Sequence, residues 1–120
     1  MTITIYHNCR CSKSREALDR VTQFAKLHQQ ELSVVNNLDS PLTFTQIQEL
    51  QRQLGVSARA LVRTNEDEYT AQRLDQADEQ ALLQAVAATP KLLQRPIVVV
   101  NERAIIARPP ELLDTFLSVS

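Results

Sequence analysis

This chain has no excess of charge, no long apolar run and no scatter of cysteines, and each absence removes a class of function. Thirteen Lys and Arg stand against fourteen Asp and Glu, for a net charge of −1. A general nucleic-acid binder needs a basic excess to neutralise phosphates, so that class is not expected. The balance leaves room for a local cluster of arginines assembled by the fold. The longest apolar runs, such as residues 96–100, fall far short of the ~20 residues that cross a bilayer. Residues 1–6 carry neither the basic start nor the long apolar stretch of a secretory signal. The expectation is a cytoplasmic protein, away from membranes, where thiols are kept reduced. Two cysteines only two positions apart, Cys9 and Cys11, then make a poor structural staple. Repeats, low-complexity tracts and linker-like composition are also missing, so the 120 residues predict one domain with a modest core.

Hydrophobic spacing supplies the elements. Residues 1–6 are rich in β-branched and aromatic side chains and predict a strand. A polar segment, His7 to Ser12, leads into a helix from Ser14 on, in which Ala17, Leu18, Val21, Phe24 and Ala25 share one face. That helix should end near residues 28–30. Residues 31–36, with Leu32, Val34 and Val35, predict a second strand, parallel to the first through a right-handed crossover. After a turn-rich link, Thr43 and Gln46 form a capping-box pattern, and Ile47, Leu50 and Leu54 form a buried stripe. Gly55, the single glycine, stands where a helix end favours a left-handed residue. Ser57 is expected to cap a short helix over 58–62, and Asp78 to start another with Leu82, Leu83 and Val86 inside, stopped by Thr89 and Pro90. Residues 65–75 are polar and carry no periodic signal. Residues 96–100 predict a central strand covered on both faces. A tight turn at 101–103 returns the chain antiparallel over 104–107. Pro109 or Pro110 then opens a last helix with Leu112, Leu113, Phe116 and Leu117 inward. The order is βαβ, a helical block over about 43–90, then ββα: an α/β fold with a thioredoxin-like mixed sheet and inserted helices.

The chemistry gathers where the first strand meets the first helix. Free amides and the helix dipole favour negative charge there, so a Cys11 thiolate would be stabilised. The same amides can cradle an oxyanion. Ser12 and Ser14 add hydroxyl donors, and Arg15 adds a positive charge one turn in. The bland alternative, a buried cysteine packing as a small apolar group, fits poorly with the polar neighbours Asn8, Arg10, Ser12 and Lys13. Cys9 has two readings: a partner in a small, strained, redox-active disulfide with Cys11, or a loop filler. A metal site is not expected, since two thiols and His7 leave the usual four-ligand set incomplete.

Residues 3–8 followed by Cys11-Ser-Lys-Ser-Arg15 resemble the active-site loop of the thioredoxin-like, glutaredoxin-coupled arsenate reductases. Residues 57–63, residues 95–99 and Arg108-Pro109 resemble that family's later motifs, in the same order over nearly the whole chain. The short C-terminus looks closest to a compact branch of the family. The resemblance implies Cys11 as nucleophile, with Arg59, Arg95 and Arg108 holding arsenate or a similar oxyanion and favouring the thiolate. It implies that His7 and Ser14 tune the cysteine loop while Asn8 and Arg15 shape it. It also implies a cis bond before Pro96, glutathione as co-substrate, glutaredoxin as partner, and no tightly bound cofactor. Arg63 and Arg103 read as solvent-facing charges, and the helical Arg59 could be a surface charge as well.

One departure stands out. The family usually carries proline two residues before the nucleophile, where this chain has Cys9, a possible resolving thiol. Two other readings follow. One is a general thiol–disulfide oxidoreductase cycling Cys9 and Cys11. The other is a redox regulator of the Spx type that binds RNA polymerase, although those regulators carry C-x-x-C and lack the full arginine set.

Overall fold

The computed structural model describes residues 2–7, 12–36, 42–94 and 96–118. Strand β1 (Thr2–His7) leads to helix α1 (Ser12–Leu27) and strand β2 (Glu31–Asn36). Helices α2 (Phe44–Leu54), α3 (Ala58–Leu61), α4 (Asp67–Ala71) and α5 (Glu79–Ala88) follow. Strands β3 (Ile97–Val100) and β4 (Arg103–Ile106) and helix α6 (Leu112–Ser118) complete the order. The chain divides into two compact units, one from Met1–Asn36 with Arg95–Ser120, the other from Asn37–Gln94.

The first unit is a four-stranded sheet in the order β2-β1-β3-β4. β1 runs parallel to β2 and antiparallel to β3, and β4 runs antiparallel to β3. This is the mixed, thioredoxin-like sheet that the element order predicts. The period-two alternation of β1 sends Ile3, Ile5 and His7 to a buried face and leaves Thr2, Thr4 and Tyr6 less covered. Against the buried face lie Ala17, Val21 and Ala25 of α1 and Leu113, Phe116 and Leu117 of α6, together with Val98, Val100 and Ala107. The alanines let α1 lie close to the sheet, and its larger Leu18 and Phe24 pack at the margin. Arg20 fastens α6 to α1 through both carboxylate oxygens of Asp114, at 3.0 and 3.1 Å.

Two details of this unit differ from the sequence reading. α1 begins at Ser12 rather than Ser14, because nothing in the polar run stops the helix from forming one half-turn earlier. Leu112 is 44% exposed: three apolar residues of α6 suffice to cover the sheet, and the fourth falls off the stripe. Asn101 takes the left-handed conformation at the β3–β4 turn, with φ 57°, which asparagine tolerates better than most residues.

The second unit is helical. The capping box at α2 is complete: Thr43 N donates to Gln46 Oε1 at 2.9 Å, and Gln46 N to Thr43 Oγ1 at 3.2 Å. Gly55 closes α2 at φ 67° with its amide on Gln51 and Arg52 carbonyls, as the glycine's placement predicts. Ile47 and Leu50 are buried, while Leu54 is half-buried. Asp78 caps α5, accepting from Ala81 N at 2.8 Å, and Leu82, Leu83, Ala85 and Val86 are its buried positions. Ser57 occupies the N-cap of α3 but makes no side-chain cap bond. Glu79 takes over that role, accepting from Ala58 N at 3.1 and 3.2 Å. The unpatterned stretch holds α4, which buries no residue, and a 3-10 turn over Leu74–Gln76 that buries Leu74.

Candidate active site

The sheet register decides which sequence motifs meet. His7 ends β1 opposite Asn36 of β2. Tyr6 stands opposite Ile97 at the start of β3, and Ile97 stands opposite Ile106 at the end of β4. The carbonyl of Pro96 accepts from Ala107 N at 2.9 Å. Because β1 and β4 point the same way and β3 runs against them, one end of the sheet collects the end of β1, Pro96 before β3 and Ala107 after β4. Described positions about a hundred residues apart, His7 and Ala107, are thus brought to one end of the sheet.

Residues 8–11 and Arg95 lie outside the described residues, and with them the expected roles of Cys11, Cys9, Asn8 and Arg95 and the expected cis bond before Pro96. Pro96 itself is buried. The cis peptide bond among the described residues is Arg108–Pro109.

Two described side chains bracket the cysteine segment. His7, 6% exposed, and Ser14, fully buried, meet at 2.7 Å between Nδ1 and Oγ. One ends β1 and the other lies in the first turn of α1, so the contact braces both ends of the intervening segment. Burial is the main cause that holds the His7 ring below its ordinary 6.5; hydrogen bonding to Ser14 opposes the shift, and the charge of Arg15 adds to it. A neutral imidazole can either accept the Ser14 hydroxyl proton or donate to the oxygen. The sign of the linkage follows. The unfolded chain binds this proton more readily, so the stability contributed by neutral His7 is present above about pH 6.5 and is lost as pH falls through its lower native value. Urea midpoints measured from pH 7 to 5 are therefore expected to fall more steeply for the native chain than for His7→Gln.

Helix α1 has no acidic residue in its first turn, so its positive end is not offset by a carboxylate of its own. Ser12 and Arg15 are exposed there. Arg108 is exposed after β4, with its amide on the Ile106 carbonyl at 3.0 Å. Arg59 belongs to the second unit, where its guanidinium donates to the carbonyls of Leu74 (3.4 Å), Asp75 (3.1 Å) and Ala77 (2.8 Å). It is therefore more than an idle surface charge. Arg63 also departs from the solvent-facing reading: it is half-buried and 3.5 Å from Glu66. Arg103 is exposed but lies 5.1 Å over the Phe116 ring, a cation–π contact. Sequence spacing could not show the three Arg59 bonds, because carbonyl acceptors carry no residue identity. Among the described residues there is no group of three His, Cys, Asp or Glu placed to hold a metal ion, and no helix is long and apolar enough to cross a membrane.

Comparison with known proteins shows the family and the fold. The model of the ArsC family matches residues 6–116. An uncharacterized Escherichia coli protein, YfgD, is 45% identical over 112 residues, covering 91% of each chain. An arsenate reductase of Neisseria meningitidis is 39% identical over 118 residues, covering 96% of this chain and 97% of its own. The structure of an arsenate reductase from Vibrio cholerae superposes with a TM-score of 0.86 at 36% identity, covering 96% of this chain and 97% of that one. With this sheet order and a family match that spans nearly all of its length, the chain belongs to the ArsC family.

Proposed function

We propose that this protein reduces arsenate to arsenite through a covalent adduct on Cys11. The observation that carries the reading is that the end of β1, the start of β3 and the end of β4 meet at one end of the sheet, beside the buried His7–Ser14 brace. Family membership, with relatives named as arsenate reductases, supplies the substrate. Cys11 directly precedes the first residue of α1, where a helix dipole lowers the energy of a thiolate. In this scheme Arg95, Arg108 and Arg59 offset the charge of the dianion, since guanidinium forks match tetrahedral oxyanions through paired hydrogen bonds. Ser12 and Asn8 offer further donors, and Arg15 shapes the loop electrostatically.

The steps balance as follows. The Cys11 thiolate attacks arsenic, a sulfur–arsenic bond forms, and one arsenate oxygen takes up a proton and leaves as water. Glutathione thiolate then attacks the Cys11 sulfur. The new sulfur–sulfur bond forms as the sulfur–arsenic electron pair stays on arsenic, which falls from the +5 to the +3 state and leaves as arsenite. A glutaredoxin resolves the mixed disulfide by thiol exchange and restores Cys11. The scheme uses no tightly bound cofactor and suits a reducing cytoplasm.

Cys9 opens a second electron route, in which its thiol attacks the adduct in place of glutathione and an internal disulfide results. Donor dependence separates the two. Arsenite formation is expected with glutathione plus glutaredoxin, and Cys9→Ala is expected to keep it. Turnover that needs Cys9 and ignores glutathione would establish the internal route. No arsenite under any donor, with Cys11 still open to alkylation, would sink the arsenate reading.

A further inference from the structure

We propose that Glu79 is a positioning residue for Arg59; this rests on the reading of Arg59 as an oxyanion ligand. Arg59 lies on α3, a helix of four residues, far too short to hold its own direction. The amide of Ala58, at the first position of that helix, has no intrahelical acceptor. Its N-cap residue Ser57 supplies none. Both oxygens of Glu79 supply it instead, at 3.1 and 3.2 Å from Ala58 N. Gln51 steadies that carboxylate, with Nε2 donating to Glu79 Oε2 at 2.9 Å and to the Val56 carbonyl at 3.1 Å. The α2–α3 connection and the start of α3 are therefore tied to one side chain of α5.

Among the described residues, Glu79 accepts from a backbone amide and a side-chain amide and pairs with no cation. The segment just before it holds the neighbouring residue as well, since the carbonyls of Leu74, Asp75 and Ala77 take three hydrogen bonds from the Arg59 guanidinium. Residues 74–79 thus grip α3 twice, by the amide of Ala58 and by the fork of Arg59. The far end of α3 is held by the pairing of Val62 with Leu93, so loss of the Glu79 tie loosens only the start of the helix, which carries Arg59, and shifts the guanidinium from the direction that the two grips set together.

The test compares arsenate KM and kcat, with glutathione and glutaredoxin, for the full chain and for Glu79→Ala, Glu79→Gln, Gln51→Ala and Arg59→Ala, beside the rate of Cys11 alkylation. Glu79→Ala is expected to raise KM roughly three- to tenfold, the size of one lost hydrogen bond, with kcat and Cys11 alkylation unchanged. Glu79→Gln keeps an acceptor for Ala58 N and is expected to recover most of the loss. Gln51→Ala is expected to give a smaller rise in the same direction, and it decides the matter should Glu79→Ala not fold. Unchanged KM in the Glu79 and Gln51 variants, with KM raised in Arg59→Ala, overturns the positioning role alone. An equal rise in Glu79→Ala and Glu79→Gln also overturns it. Unchanged KM in Arg59→Ala removes Arg59 from substrate binding and the proposal with it, while Cys11→Ser would still report on the chemistry itself.

Discussion

Cys11→Ser is expected to abolish arsenate reduction, with a loss of at least about a thousandfold in kcat. Serine preserves size and hydrogen bonding, so the change isolates the chemistry of the sulfur. A hydroxyl at neutral pH is almost wholly protonated, and even as an alkoxide its bond to arsenic could not be resolved by thiol attack into a disulfide. The two electrons that arsenic must gain come from the sulfur–arsenic pair, and oxygen does not release such a pair under these conditions. Cys9→Ala, two residues away, is expected to retain turnover with glutathione and glutaredoxin. A serine variant with native turnover would mean that Cys11 is not the nucleophile.

The second large effect is expected at Arg108. It follows the buried Ala107, just after β4, at the end of the sheet where β1 also ends. Its own side chain is exposed, so Arg108→Ala opens no cavity in the core. A charge-assisted, two-pronged hydrogen bond to a dianion contributes about 2–3 kcal/mol, which corresponds to a rise of roughly 30- to 150-fold in arsenate KM. Arg108→Lys keeps the charge but loses the planar fork, and is expected to recover only part of this. Steady-state kinetics over a wide arsenate range checks the point, and an Arg108→Ala enzyme with native KM would remove this arginine from the site.

What could be read from the sequence was local. β2 spans the residues 31–36 that Leu32, Val34 and Val35 mark as a strand, and the capping box and glycine stop of α2 are written within a few residues of each other. Asp78 as the cap of α5 is equally local. Helix α4 was not legible because none of its residues is buried, so it leaves no apolar period. Ser57 holds the N-cap position of α3 as expected, but its side chain makes no cap bond, for a related reason. A serine before a helix is a strong short-range signal, but the acceptor that won, Glu79, stands 21 residues away. Leu112 shows the limit of apolar periodicity, which marks positions able to be buried without saying how many the sheet has room for.

The site divides along the same line. Motif order, carried by family resemblance, pointed to His7, Ser14, Cys11 and the arginines. The register brings the strand ends that flank three of those segments to one end of the sheet, which no spacing along the chain reveals. The three carbonyl bonds of Arg59 and the burial of Arg63 depend on where the backbone folds back, and backbone acceptors are invisible in side-chain identity.

The central claim is that a reactive thiolate and an oxyanion site coincide at Cys11. The direct measurement is the rate of Cys11 alkylation by iodoacetamide across pH, with and without arsenate, in a Cys9→Ala background so that one thiol reports. The predicted result is a titration midpoint well below the ordinary thiol value of about 8.5, with the rate slowed by arsenate in a saturable way. A midpoint at or above that value, with no protection by arsenate, would contradict the account.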